Sequence, residues 1–480
     1  MNTTEKQLVV KASFDTILKL TSFSEVLVNI PTYHIKGAKA TFKKFENGGL
    51  DIKIENVRDV FEKPIDLEVL IGDDIYYIYG LDIVKRATQV SRKEGESMYT
   101  GTLTHYGHAQ SLKININGNF KNNDTVYYRY ITPSYKNAIH YYLETETFSI
   151  DETRYRHGKF SFSVDGISLD MYETQYEKKT YLIIDSTSPI TLDGFSKICH
   201  SVMIAYGLPT ATFHQNECYF LNSRDADFAN ISSMVYQQLR PTIASIYNPI
   251  YSNPRGYTDD NDLIKKFGVE FEVIKPDFFS MLCTRVHKEE SYATLILLVL
   301  EANAASLILK PAGYSVALEK LTNIIVEENK GLKPIADKVL AGKFKDDLKA
   351  VLKVYADKIT ANGTDDPIKI LTKNIDKINN PTNRDKLIKP FEIYEIKLND
   401  YDIQAIDHRN NFLHGRHVNM KENATGTDYL EVFHVSLRLN ALVNKLIFKH
   451  LGYKGWLVNY VKRHENQFSF PIEEELFIEI

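Results

Sequence analysis

The feature that most constrains the fold is a change of hydrophobic period near the middle of the chain. Before it, apolar and polar residues alternate in short runs bounded by Asn, Asp and Gly; after it, apolar residues recur at helical spacing. The two periods direct side chains to different faces, so one element type cannot serve both halves. An α+β architecture follows: an N-terminal β-rich domain of sandwich or barrel type, then a C-terminal all-α bundle.

In the first half, Ala40–Phe45 and Leu50–Ile54 flank Glu46-Asn47-Gly48-Gly49, where Asn-Gly supplies the positive φ of a hairpin turn. Ile75–Tyr79, Leu112–Ile116, Val126–Ile131, Phe160–Val164 before Asp165-Gly166, and Thr180–Ile184 repeat the pattern. Tyr127, Tyr128 and Tyr130 suit core or cross-strand packing better than base stacking. One helix is expected here, capped by Asp193, carrying Phe195, Ile198, Val202 and Ile204, and ended by Gly207 before Pro209. Asn248–Asp262, with two prolines and several Asn, Asp and Ser, reads as the linker. Ser291–Leu309, Ser315–Glu328, Asp346–Thr360, Pro367–Ile378 and Tyr429–Leu451 read as helices, as does a segment that starts at Asn399 or Asp400 and ends at Gly415.

Charge divides along the same line. Arg285–Glu465 holds 28 Lys+Arg against 23 Asp+Glu, leaving 30 against 39 elsewhere, so only the helical half leans toward a polyanionic partner. The seven lysines of Lys333–Lys358 are interleaved with aspartates and read as a solvated helical face. Cys199, Cys218 and Cys283 stand far apart without metal-ligand spacing, which fits a reducing cytoplasm and argues against a zinc site. Met1–Leu8 has no apolar signal core, and the most apolar stretch, Tyr292–Leu300, is nine residues long. A membrane span needs about 20, so no membrane association and a cytoplasmic location are expected. P-loop, HExxH and GxSxG motifs are missing from the sequence.

One segment has the residue types for chemistry: Asp407-His408-Arg409-Asn410-Asn411-Phe412-Leu413-His414-Gly415. Asn410 and His414 are i,i+4 neighbours on one helix face. Arg409 lies ~140° round from His414 at ~100° per residue, so the pair converges only if the arginine leans across. Histidine exchanges protons near neutrality, and arginine is a permanent cation whose donors match phosphate oxygens. With Asn410 to orient the imidazole or bond a phosphate oxygen, the set suits metal-independent attack of a ribose 2′-hydroxyl on its adjacent phosphate.

Arg409-Asn410-(three residues)-His414-Gly415 resembles the R-N-x-x-x-H-G motif of the HEPN ribonuclease family. Tyr314–Leu321 is similar to an earlier helix of that family carrying an acidic residue, here Glu319. A β-rich half followed by such a domain also resembles the layout of the ApeA family of anti-phage defence proteins. The resemblance divides the chain into a β-rich sensor domain (1–262), a connector (263–284), a HEPN domain (285–465) and a C-terminal tail (466–480). It implies an endoribonuclease acting by abortive infection on cellular RNA, with tRNA among the candidates. Catalysis falls to Arg409, Asn410 and His414, with Glu319, His408, Arg416 and His417 as supporting or RNA-contacting residues. The resemblance further implies no metal and no cofactor, a homodimer through the HEPN domain, and a phage-derived protein as trigger at the N-terminal domain. Two other readings stand beside it: an inert, antitoxin-like HEPN binding protein, and a carbohydrate-binding β domain on a helical oligomerisation module.

Overall fold

The structure, a computed structural model, describes residues 10–21, 25–44, 50–57, 64–71, 74–81, 83–91, 100–109, 111–116, 124–134, 139–150, 154–215, 217–250, 273–329, 333–362, 366–380, 382–413 and 426–480. The chain forms two compact units, Met1–Ala293 and Thr294–Ile480, with the boundary inside the helix Glu290–Ala304.

The first unit is a large antiparallel sheet with helices. Fifteen strands form one hydrogen-bonded series, from Glu146–Ile150 at one end to Ile83–Ser91 at the other. Every described segment that reads as a strand from its alternation lies in this sheet. Ile35–Lys44 and Leu50–Val57 pair with Phe42 opposite Ile52, while the turn expected between them lies outside the described residues. The hairpin at Val164 and Ile167 turns through Asp165 and Gly166, both at positive φ (50° and 83°), which matches the twist of the strands it joins. Val28, Ile30, Ile52, Ile54, Val69 and Ile78 are all buried on one core face. Tyr128 and Tyr130 are buried too, as packing rather than base stacking would have them.

A charged group lies inside this sheet. Arg129 and Asp185 face each other in register across neighbouring strands. Arg129 is fully buried, and its Nε and Nη2 donate to the two carboxylate oxygens at 2.7 and 2.8 Å. Ser13 Oγ accepts from Nη1, Tyr172 donates its hydroxyl to Asp185, and the guanidinium lies 4.2 Å from the Phe228 ring centroid. A charge at zero exposure is tolerable only with such complete pairing.

The helix around Phe195 differs at both ends from its sequence reading. It runs Leu192–Thr210 and is capped by Thr191, whose Oγ1 accepts from Gly194 N at 3.3 Å, leaving Asp193 in the first turn. It passes Gly207 and Pro209 because that end is buried, and the Thr210 hydroxyl donates to the Tyr206 carbonyl at 2.7 Å. The left-handed residue that ends it is Ala211.

A helix not anticipated from the sequence, Pro276–Lys288, packs on the sheet. Phe279 meets Phe160 and Phe162 edge-on at 5.3 and 5.1 Å, and Ser280 and Thr284 hydroxyls accept from the Ser163 and Asp165 amides. Most of the expected connector 263–284 therefore either belongs to this helix or lies outside the described residues, as do residues 251–262 of the expected linker.

In the second unit, Lys310–Glu328 and Gly426–His450 form the heart of the bundle. Tyr314, Leu318, Leu321 and Ile325 on the former, and Leu439, Leu442, Val443 and Leu446 on the latter, are almost wholly buried. Each such side chain contributes ~1.5–3 kcal/mol on burial. A Cβ at Gly313 would come within 2.8 Å of Ala302 Cβ, so glycine lets Lys310–Glu328 approach Glu290–Ala304 closely. The expected helix at Asp346 begins earlier, at Lys338, because the Asp337 carboxylate accepts from the amides of Val339 and Leu340. It breaks at Tyr355, and Ala356–Asn362 follows as a separate helix. Asn383–Ile393, capped by Thr382 and with Pro390 inside it, is a further helix not anticipated from the sequence. The segment after Glu465 is folded into the unit: Phe477–Glu479 pairs with Trp456–Val458. Among the described residues no helix is long and apolar enough to cross a membrane.

Candidate active site

The motif lies on the helix Asp400–Leu413. Asn399 caps it reciprocally: its Oδ1 accepts from Asp402 N at 2.9 Å, and its own amide donates to the Asp402 carboxylate at 3.2 Å. Asp402, Ala405, Ile406, Arg409 and Phe412 are buried and follow a helical stripe. Arg409 therefore lies on the inward face, one turn beyond Ala405 and Ile406.

From there its guanidinium reaches the central helix. Nη1 donates to Glu319 Oε2 at 2.9 Å; the arginine side chain is 7% exposed and the glutamate 50%. The fold thus joins two of the residues singled out in the sequence, and Glu319 is engaged by the motif arginine rather than by water alone. His408, the preceding residue, is half-buried and lines a cavity. Asn410 continues the helix backbone, while its side chain, His414, Gly415, Arg416 and His417 lie outside what is described.

The same helix contributes Asp402 to a polar cluster that the sequence reading missed. Arg438 is almost fully buried, bonds Asp402 Oδ1 at 3.3 Å and pairs with Glu474. Glu474 also accepts from Asn399 and Asn459, each through its amide group, at 2.8 and 2.9 Å. Burial pushes the Glu474 carboxyl up, but the Arg438 charge and the hydrogen bonds from Arg438 and Asn459 outweigh it and leave the group below its ordinary value. Burial raises Asp402 despite Lys445 and Arg438, and lowers Lys445 despite Asp402 and Glu474. Burial and the Arg438 charge bring His434 down to about 4, so its imidazole is neutral near pH 7. The sequence did contain a signal: His434, Arg438 and Lys445 interrupt the apolar stripe of the longest helix, where charged residues are seldom buried unless paired.

A cavity of about 230 Å³ opens between the motif helix, Gly426–His450 and the segment around Phe470. Tyr401 and Phe470 lie nearly parallel, 5.8 Å apart, and His434 stands edge-on to both at 5.8 and 5.2 Å. Among the described residues no group of three or more His, Cys, Asp or Glu side chains is placed to hold a metal ion.

No family model, curated protein or solved structure matches this chain. What the site can do rests on its own geometry and chemistry.

Proposed function

We propose that this protein is a metal-independent endoribonuclease of HEPN type that cuts cellular RNA, with tRNA among the candidate substrates, during phage infection and so halts the host. In this reading the β-rich unit, sandwich- or barrel-like in outline, is a sensor that restrains the helical unit until a phage-derived protein binds it. One observation carries the reading furthest: the motif arginine projects inward from a capped helix and is held by a carboxylate of the central helix. Glu319 holds the guanidinium through one nitrogen, and in this reading its remaining donors meet a phosphate. His414 shuttles the proton, Asn410 orients it, and His408, Arg416 and His417 border the RNA path.

A single motif holds too few groups to clamp a phosphate and move two protons. The active form is therefore a two-fold dimer that brings two motif helices face to face. Light scattering of an active species at micromolar concentration checks this, and an active monomer contradicts it.

A second reading, an inert HEPN-like binding protein, draws on the same ion pair, because Arg409 is nearly inaccessible where it stands. Incubating the purified protein with total RNA, with and without EDTA, decides between them. Cleavage that survives EDTA and requires His414 supports the nuclease; no cleavage under any condition supports the binder.

A further inference from the structure

We infer that the cavity walled by Tyr401, His434 and Phe470 is a nucleobase subsite, holding one base of the RNA on which the adjoining motif acts. This rests on the ribonuclease reading and extends it to how substrate is held. Size is the first argument: a cavity of roughly 150 Å³ accepts benzene, and this one, at about 230 Å³, has room for a larger planar ring. The second is its walls. Tyr401 is 47% exposed and lies nearly parallel to Phe470, so the lining is aromatic and open to solvent at this ring. The Arg438 guanidinium lies 5.5 Å from the Tyr401 ring centroid and stiffens that wall from within the unit.

Polarity is the third. Arg438 Nε donates to His434 Nε2 at 3.4 Å, so the neutral imidazole carries its proton on Nδ1. The cavity lining thus includes a polar aromatic ring, as an apolar lipid or side-chain pocket would not require. Gln404, His408 and Glu431 add donors and acceptors to the lining, suited to the edge of a heteroaromatic ring. Position is the fourth. His408 lines the cavity and directly precedes the motif, whose Arg409 follows it by ~100° round the same helix. A nucleotide whose base enters the cavity has its phosphate close to the motif helix.

The test uses the full-length protein and a short 2′-O-methyl oligonucleotide of mixed sequence, which has no 2′-hydroxyl nucleophile and reports binding without cleavage. An abasic site is walked along it, and affinities are read by fluorescence anisotropy. One position is expected at which loss of the base weakens binding about tenfold, the scale of one stacked base. Tyr401→Ala weakens the intact oligonucleotide equally and no longer senses that abasic position, while Tyr401→Phe behaves as wild type. A 4-thiouridine at that position crosslinks the unmodified protein at Tyr401 or Phe470, a readout independent of any variant's folding. Absence of saturable binding, no base-dependent position, or crosslinks elsewhere overturns the subsite. So does Tyr401→Ala lowering the oligomer mass with the abasic pattern unchanged, which would mean that a second copy fills the cavity. The two readings fail separately. This binding signature in a protein that cuts no RNA removes only the nuclease, and RNA cutting without a base-dependent position removes only the subsite.

Discussion

Arg409 and Glu319, ninety positions apart in the chain, meet in a 2.9 Å ion pair in which the arginine is buried and the glutamate half exposed. That asymmetry sets the energetics. Water reaches the carboxylate and screens the pair, so its net worth is nearer the ~1 kcal/mol of a well-formed surface bridge than the ~3–5 kcal/mol lost on breaking a fully buried one. A double-mutant cycle of Glu319→Gln and Arg409→Met, followed by denaturation of the full chain, is expected to give a coupling of about 1 kcal/mol. Zero coupling would show that the two side chains do not meet in solution.

Arg409→Ala and His414→Ala are each expected to lower RNA cleavage ~100-fold or more, the usual cost of losing a proton shuttle or a charge-stabilising donor. His414→Ala should keep the melting temperature of the parent protein, separating chemistry from folding. Undiminished cutting by either variant, or an absolute need for a divalent ion, would sink the assignment.

Much of the second unit was legible in the sequence because its long helices bury continuous stripes; Leu318, Leu321 and Ile325 can be read as a core without further information. The strands were legible for the same reason, with Asp165-Gly166 punctuating one hairpin. Ends of elements were not. Thr191 rather than Asp193 caps its helix because both can, and only the chain path into the helix chooses. Asn383–Ile393 contains Pro390, which local propensity disfavours in a helix, and the burial of Leu387 and Phe391 that offsets it is a tertiary effect. Within the candidate site, the motif stood out as a cluster in sequence. The partners of Arg438, Asp402 and Glu474, lie 36 residues away on either side, a distance over which spacing says nothing.

Inside the sheet, Arg129→Ala would leave Asp185 buried without its bidentate partner. Truncating one member of a buried pair costs ~3–5 kcal/mol. Such a variant should be recovered mainly as insoluble chain, whereas losing only the Ser13 hydroxyl in Ser13→Ala should cost about 1 kcal/mol. Soluble Arg129→Ala protein with parental melting would show that this group does not hold the sheet.

His434 makes the fold sensitive to acid. Burial and Arg438 depress its folded value from the ordinary 6.5 to about 4. Between those limits the unfolded chain binds more protons at this position than the native one, so stability rises with pH and is lost on acidification. Glu474 opposes Arg438 at this imidazole but does not reverse the shift. Replacing His434 with Gln should flatten the melting-temperature profile between pH 6.5 and about 4 relative to the parent. His200 and His464 are also lowered by burial, so the comparison isolates the slope due to His434. Identical profiles for the two proteins would place the acid sensitivity elsewhere.

If the β-rich unit restrains the helical one, separating them should release activity. The cut must respect the helix Pro276–Lys288, which packs on the sheet through Phe279 and would expose that ring if carried along alone. Residues 289–480 begin instead at Glu289, whose carbonyl accepts from Ala293 N and so retains the start of the next helix. Expressed in growing cells, this fragment is expected to be more toxic than the full chain, and His414→Ala in the fragment should abolish the difference. Both arms are needed, since toxicity that survives the histidine change would come from misfolding rather than RNA cleavage. A folded, dimeric fragment without toxicity would mean that the sheet unit supplies part of the substrate site. Restraint would then be the wrong description of what it does.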